Sequence, residues 1–144
     1  MDFGATVSGY HSDMTRTFAV GEVDDLSKRV YDIVLKAQLA ALDALKDGVP
    51  GSELHNIALG VIAGAGYGDC FGHGLGHGFG LQIHEAPSAS PLSKDILKAG
   101  MTITVEPGIY LEGKLGVRIE DCCLVTEEGH RNFVTAPKEL LYIK

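Results

Sequence analysis

Residues 73–87 read HGLGHGFGLQIHEAP, with His73, His77 and His84 at spacings of four and seven in a run punctuated by glycine. Five glycines fall at alternate positions from Gly72 to Gly80, a density that disfavours a helix. The stretch is therefore expected to be extended or looping backbone, able to approach ions or a substrate closely while presenting imidazoles. Zinc-protease helices need His-Glu-x-x-His, which is absent, and the glycines never supply the G-x-G-x-x-G register of a dinucleotide site. The bland alternative is an exposed loop with incidental histidines, so the weight of the reading rests on what surrounds it.

Upstream lie two helical patterns. From Asp24 to Asp47, Leu26, Val30, Ile33, Val34, Ala37, Ala41 and Leu45 recur at steps of three and four, closed by Gly48, which predicts a long amphipathic helix. Past Pro50-Gly51, Ser52 is the expected N-cap of a second helix with Leu54, Ile57, Ala58, Val61, Ile62 and Ala65 as its stripe. Before both, residues 2–7 and 10–19 form two extended runs around Ser8-Gly9, the signature of a hairpin. Downstream, Met101–Glu106, Gly116–Thr126 and Arg131–Ala136 read as strands, the first stopped by Pro107-Gly108. The layout is α+β, with no internal repeat and no composition shift that would mark a linker.

Composition narrows the function classes. The chain has 144 residues, and 12 basic against 19 acidic side chains give a net charge of −7, with no basic run longer than Lys28-Arg29. No nucleic acid or anionic lipid is expected as partner. No apolar stretch approaches the roughly 20 residues of a membrane span, and the first residues lack a signal-peptide pattern. Three cysteines, an odd number with Cys122 and Cys123 adjacent, suit a reducing, cytoplasmic compartment. Asp2-Phe3-Gly4 spells a kinase magnesium motif, but no glycine-rich nucleotide loop or His-Arg-Asp loop precedes it.

Four carboxylates stand at or beside the expected strands: Asp2 and Asp13 in the hairpin, Glu106 at a strand end and Glu120 within the next strand. Strands disfavour Asp and Glu, so each must face water or meet a cation. Alternation sets Val117, Ile119, Cys123 and Val125 on one face and Arg118, Glu120, Cys122 and Leu124 on the other. Both faces are mostly apolar, so Glu120 is expected to be buried. Should the four acids converge, their repulsion would force protonation unless about four positive charges joined them, which two divalent ions would provide. Oxygen ligands with one imidazole suit Mn, Co, Fe or Zn at a two-metal site, where a bridging water becomes a nucleophile and hydrolysis is the natural chemistry.

These motifs together resemble the metallopeptidases of the pita-bread fold, which include aminopeptidase P, prolidase and methionine aminopeptidase. The resemblance rests on DFGATVSGYHSDMTRTF at 2–18, HGLGHGFGLQIHEAP at 73–87, TVEPGIY at 104–110 and VRIED at 117–121, and it covers nearly the whole chain. It implies that residues 1–144 are the C-terminal portion of the catalytic domain, without its first half and N-terminal domain. The fold implied is a hairpin, two helices and a curved, mostly antiparallel sheet. Asp2 would be a ligand of one ion, Asp13 and Glu120 bridges, and His77 and Glu106 ligands of the other, the two ions being Mn in first place, then Co, Zn or Fe. Glu106 would also take the proton from the bridging water. His73 and His84 would orient substrate and stabilise the oxyanion and the departing nitrogen, and Arg118 would join this network.

The same resemblance implies hydrolysis of Xaa-Pro bonds, since His73, four residues before His77, marks the proline-specific branch. The partner expected is a peptide or dipeptide with proline second, and the full-length enzyme is expected to be a cytoplasmic homodimer. Alternatives are a methionine aminopeptidase and a non-catalytic module that holds peptide in the cleft. Tyr110, which the resemblance places near the metals, is read as a packing residue. Thr15-Arg16-Thr17 is assigned to strand pairing and hydrogen bonding near the site, with no catalytic role, and Cys122 and Cys123 to the core.

Overall fold

A computed structural model describes residues 1–143. The hairpin forms as four short strands in one register: β1 (Asp2–Phe3) pairs with β4 (Met14–Thr15), and β2 (Thr6–Val7) with β3 (Tyr10–His11), both antiparallel. Ser8 and Gly9 turn with φ of 52° and 84°, the two positive angles of a type I′ turn. Between the paired segments Gly4 lies so close to the opposite strand that a Cβ there would sit 1.9 Å from the Ser12 carbonyl. Asp13 falls in this unpaired interval.

After β5 (Phe18–Val20) come α1 (Asp25–Ala44) and α2 (Gly51–Gly64). The Asp24 carboxylate accepts from Ser27 N at 2.8 Å and caps α1. The second cap differs from expectation: Pro50 is the N-cap residue and Ser52 lies inside the helix, because the turn starts one residue after the proline. Val30, Val34, Ala37 and Ala41 of α1, its C-cap Leu45, and Leu54, Ala58 and Ile62 of α2 are buried in one core, whereas Ala65 is exposed just beyond α2.

A 3-10 turn (Gly68–Cys70) leads into β6 (Gly76–Gly78) and β7 (Glu85–Ala89), followed by β8 (Thr102–Val105), β9 (Gly108–Leu111), β10 (Leu115–Arg118), β11 (Asp121–Val125), β12 (His130–Asn132) and β13 (Leu141–Ile143). The main sheet has the order β12-β11-β8-β6-β7, every pair antiparallel. The expected strand at 116–126 is broken. Its first part hairpins with β9, its second joins the main sheet, and Ile119 and Glu120 lie between the two. The piece expected at 131–136 is ordered as strand only over His130–Asn132, and β13, which the sequence did not announce, pairs parallel with β5.

Two of the alternate glycines, Gly76 and Gly78, have a steric cause. A Cβ on Gly76 would stand 1.9 Å from the Thr104 carbonyl oxygen, and one on Gly78 2.3 Å from that of Ala86. β6 is thus wedged between two neighbours with no room for side chains on either side of His77, and a bulge between His77 and Gly78 shifts its register against β7. Among the described residues, no helix is long and apolar enough to cross a membrane.

Candidate metal centre and active site

The five expected ligands come from five places in the chain. Asp2 sits on β1, Asp13 in the gap before β4, His77 at the centre of β6, Glu106 just past β8, and Glu120 in the break between β10 and β11. One ligand atom each from Asp13, His77 and Glu120 falls within 4.8 Å of the other two. His77 Nε2 is 3.2 Å from Glu106 Oε1 and 3.8 Å from Asp13 Oδ2. Its Nδ1 faces the Gly78 carbonyl at 3.0 Å. A carbonyl can only accept, so Nδ1 carries the proton and Nε2 is the nitrogen turned toward the acids. Asp2 stands at the rim, half-exposed, with its carboxylate paired to Arg118 Nη2.

The surrounding contacts orient these groups. Thr104 Oγ1 accepts from His77 N and donates to Glu106 Oε1, both at 3.0 Å, joining β6 to the acid beyond β8. Thr15 Oγ1 donates to Glu120 Oε2 at 2.6 Å and accepts from Arg118 Nε at 3.2 Å. Arg118 Nε also approaches Glu106 Oε2 at 3.9 Å. His84 packs its ring edge-to-face on His77 with centroids 4.1 Å apart. A cleft of about 420 Å³ opens here, lined by His73, His77, His84, Glu106 and Arg118.

The electrostatics report a shortage of positive charge. Burial, then the charge of Glu106, raises Glu120 to about 8, although the Thr15 hydrogen bond pulls the other way. Asp13 is raised by burial and by the neighbouring Asp2, against the opposing pull of His77. Burial pulls His77 down, but its hydrogen bond to Glu106 and the charges of Glu106 and Asp13 outweigh this, and the net shift is upward. One imidazole and one rim arginine do not balance four carboxylates, of which Glu120 is only 2 % exposed. A hard or borderline divalent cation suits this donor set of carboxylate oxygens and one imidazole, without thiolate.

Two further residues matter here that the sequence reading did not place in the site. Tyr110, read as a packing side chain, is 38 % exposed and bonds functional groups on both sides. It accepts from Arg118 Nη1 at 2.9 Å, and its oxygen is 3.0 Å from His73 Nε2. His73 Nδ1 donates to the Gly74 carbonyl at 2.7 Å, so on neutral His73 the Tyr110 hydroxyl is the donor to Nε2. The signal was Gly116, directly across the hairpin from Tyr110, where a Cβ would meet the ring at 3.1 Å. The second is Asp121, fully buried on the strand after Glu120 and bonded to Arg16, Gln38, Asn132 and Lys138. The two adjacent buried acids have separate sets of partners, Thr15 for Glu120 and these four for Asp121.

The model of metallopeptidase family M24 matches residues 1–127. The chain belongs to this family. It is 48 % identical over 141 residues to the Xaa-Pro dipeptidase of Pyrococcus furiosus, a match covering 98 % of this chain and 40 % of that protein. Among solved structures, the Xaa-Pro dipeptidase of Bacillus anthracis superimposes with a TM-score of 0.97 at 50 % identity. The X-Pro aminopeptidase of Thermotoga maritima does so with 0.96 at 45 %, and each match covers 99 % of this chain and 40 % of the solved one. The M24 chain therefore has the pita-bread α+β architecture expected of it, and spans about two-fifths of the length of these relatives.

Proposed function

We propose that this M24 chain carries the metal-binding half of an enzyme that hydrolyses Xaa-Pro bonds, in a dipeptide or at a peptide N-terminus. The observation that carries the reading is the meeting of Asp13, His77 and Glu120 within 4.8 Å beside Glu106 and Arg118. Asp2, Asp13, His77, Glu106 and Glu120 would hold two divalent ions, which would balance the acids and supply Lewis-acid activation of water and of the scissile carbonyl. Glu106 is the general base. This is supported by its place beside His77 and by the Thr104 hydrogen bond that fixes one carboxylate oxygen and leaves the other facing the cleft.

Arg118 orients the rim by holding Asp2 and the Tyr110 hydroxyl at once. His73 and His84 line one cleft with His77 and orient the substrate there, His84 donating to the developing oxyanion or the departing proline nitrogen while His73 is held in place by the Tyr110 hydroxyl. The substrate class is supported by the likeness to an Xaa-Pro dipeptidase and an X-Pro aminopeptidase. Three free cysteines, two of them buried, support a cytoplasmic setting.

The test is side-by-side hydrolysis of an Xaa-Pro dipeptide, an Xaa-Pro tripeptide and a Met-Ala peptide by the protein at its full natural length. Xaa-Pro cleavage that is lost to a chelator and regained with Mn²⁺ is expected. Cleavage indifferent to chelation, or confined to the Met-Ala peptide, contradicts the proposal.

A further inference from the structure

Arg16 is 3 % exposed and each of its guanidinium donors is used. Nε donates to the Pro137 carbonyl at 3.0 Å. Nη1 donates to the carbonyls of Thr15 at 2.9 Å and Glu120 at 2.6 Å, and Nη2 to Asp121 Oδ1 at 2.7 Å and the Ala136 carbonyl at 3.0 Å. The plane thereby ties β4, the break at 119–120 and the segment at 136–137 to one another. Its partner Asp121 is fully buried, with Oδ1 on Arg16 and Oδ2 accepting from Gln38 at 2.9 Å, Asn132 at 2.6 Å and Lys138 at 2.5 Å. Burial alone would raise Asp121, but the hydrogen bonds from Lys138 and Arg16 prevail and hold it below the usual range, so the carboxylate stays charged.

The location gives this buried pair a use beyond pairing strands. Glu120 lies outside both β10 and β11. Its backbone is held from β4 instead: Glu120 N donates to the Thr15 carbonyl at 3.1 Å, and its carbonyl accepts from Arg16. Asp13 is two residues before Thr15, in the gap that leads into β4. The separation of Asp13 from Glu120 thus runs through a short path in which Arg16 is, among the described residues, the only side chain bonded to the Glu120 backbone.

We propose that Arg16, locked by Asp121, is a positioning residue that sets the spacing between the Asp13 and Glu120 carboxylates. This rests on the reading of those acids as metal ligands. The planar fork is what the role requires, because it meets acceptors on three segments at fixed angles. A lysine ammonium has three rotatable donors on a flexible stem and can keep the pair with Asp121 while releasing the Glu120 carbonyl. Misplacement of a reacting group by about 1 Å is enough to cost on the order of 100-fold in rate.

The experiment compares wild type, Arg16→Lys and Gln38→Leu in the protein at its full natural length. Mn²⁺ is titrated calorimetrically into chelator-treated samples, and kcat and KM are measured on an Xaa-Pro peptide. Gln38→Leu removes one donor to Asp121 and leaves the fork intact, so it reports the cost of merely loosening the cluster. Arg16→Lys is expected to weaken Mn²⁺ binding at least about tenfold and lower kcat about 100-fold with KM within about twofold, while Gln38→Leu lowers the melting temperature and keeps Mn²⁺ affinity. Should Arg16→Lys not fold, Asp121→Asn, which keeps the acceptor's shape, takes its place with the same expected losses. Wild-type affinity and kcat in the folded variant overturn the inference, as does an equal loss of Mn²⁺ affinity in Gln38→Leu, or failure of both Arg16→Lys and Asp121→Asn to fold. Absence of Mn²⁺ binding and of Xaa-Pro cleavage in wild type removes the proposed function itself, and this inference with it.

Discussion

In the absence of metal, the stability of this fold should depend on pH through Glu120. Burial and the neighbouring acids raise its folded-state value to about 8 from 4.5, and in the unfolded chain it returns to the ordinary carboxylate range. Between these values the folded chain binds a proton that the unfolded chain releases. The contribution is fully present below about pH 4.5 and is lost as pH rises through about 8. At ~1.4 kcal/mol for each tenfold step in the proton equilibrium, the full displacement amounts to about 5 kcal/mol, comparable with the whole stability of a small domain. Asp13 and His77 are also raised, so their contributions are lost with rising pH too. Asp121 is lowered from 3.8, so its own titration lies below this window. The assay is urea unfolding of chelator-treated protein from pH 5 to pH 9, for wild type and Glu120→Gln. Wild type should lose several kcal/mol across the range and the variant much less, and saturating Mn²⁺ should flatten the wild-type curve. Equal pH dependence in wild type and variant would refute the burial and charge argument for Glu120.

Tyr110→Phe keeps the ring and removes the hydroxyl shared by His73 and Arg118. It should lower kcat by about 10- to 100-fold with the melting temperature nearly unchanged, measured by steady-state kinetics and thermal melting. Thr15→Val removes the donor to Glu120 and the acceptor for Arg118 Nε. A cost of about 1–3 kcal/mol and a further rise of the Glu120 titration are expected, followed by the same urea series. Gly76→Ala would drive a Cβ to 1.9 Å from the Thr104 carbonyl. Separation of β6 from β8 should cost at least about 3 kcal/mol and displace His77, read as a lower unfolding midpoint with weakened Mn²⁺ binding.

Much of this was legible because the chain carries it locally. The Leu26–Leu45 stripe, closed by Gly48, is a helix within a few residues of the expected bounds, since periodicity and capping act over one turn. The glycine alternation announced close backbone approach, and β6 is wedged between two strands for that reason. The hairpin turned where Ser8-Gly9 predicted, because positive φ is a property of two residues. The break at Ile119-Glu120 was not legible. Apart from Asp121 the apolar alternation runs on through it, and the competing pairings with β9 and β8 pull the two halves into different sheets. β13 was missed because its parallel partner β5 lies more than a hundred residues away.

At the site, burial of Glu120 followed from apolar neighbours on both faces of its strand. The partners of Asp121 could not be read the same way, because Arg16, Gln38, Asn132 and Lys138 are scattered through the chain and meet only in the folded state. Tyr110 was misassigned because an aromatic in a strand usually packs. Here the opposing residue is Gly116, and the ring lies across bare backbone with its hydroxyl in the cleft.

Anomalous diffraction from crystals grown with Mn²⁺ tests the central claim most directly. Two peaks about 3.5–4 Å apart, with Asp13 and Glu120 between them and Asp2, His77 and Glu106 completing the shells, are predicted. A metal-saturated crystal with no peak at these five side chains would contradict the account.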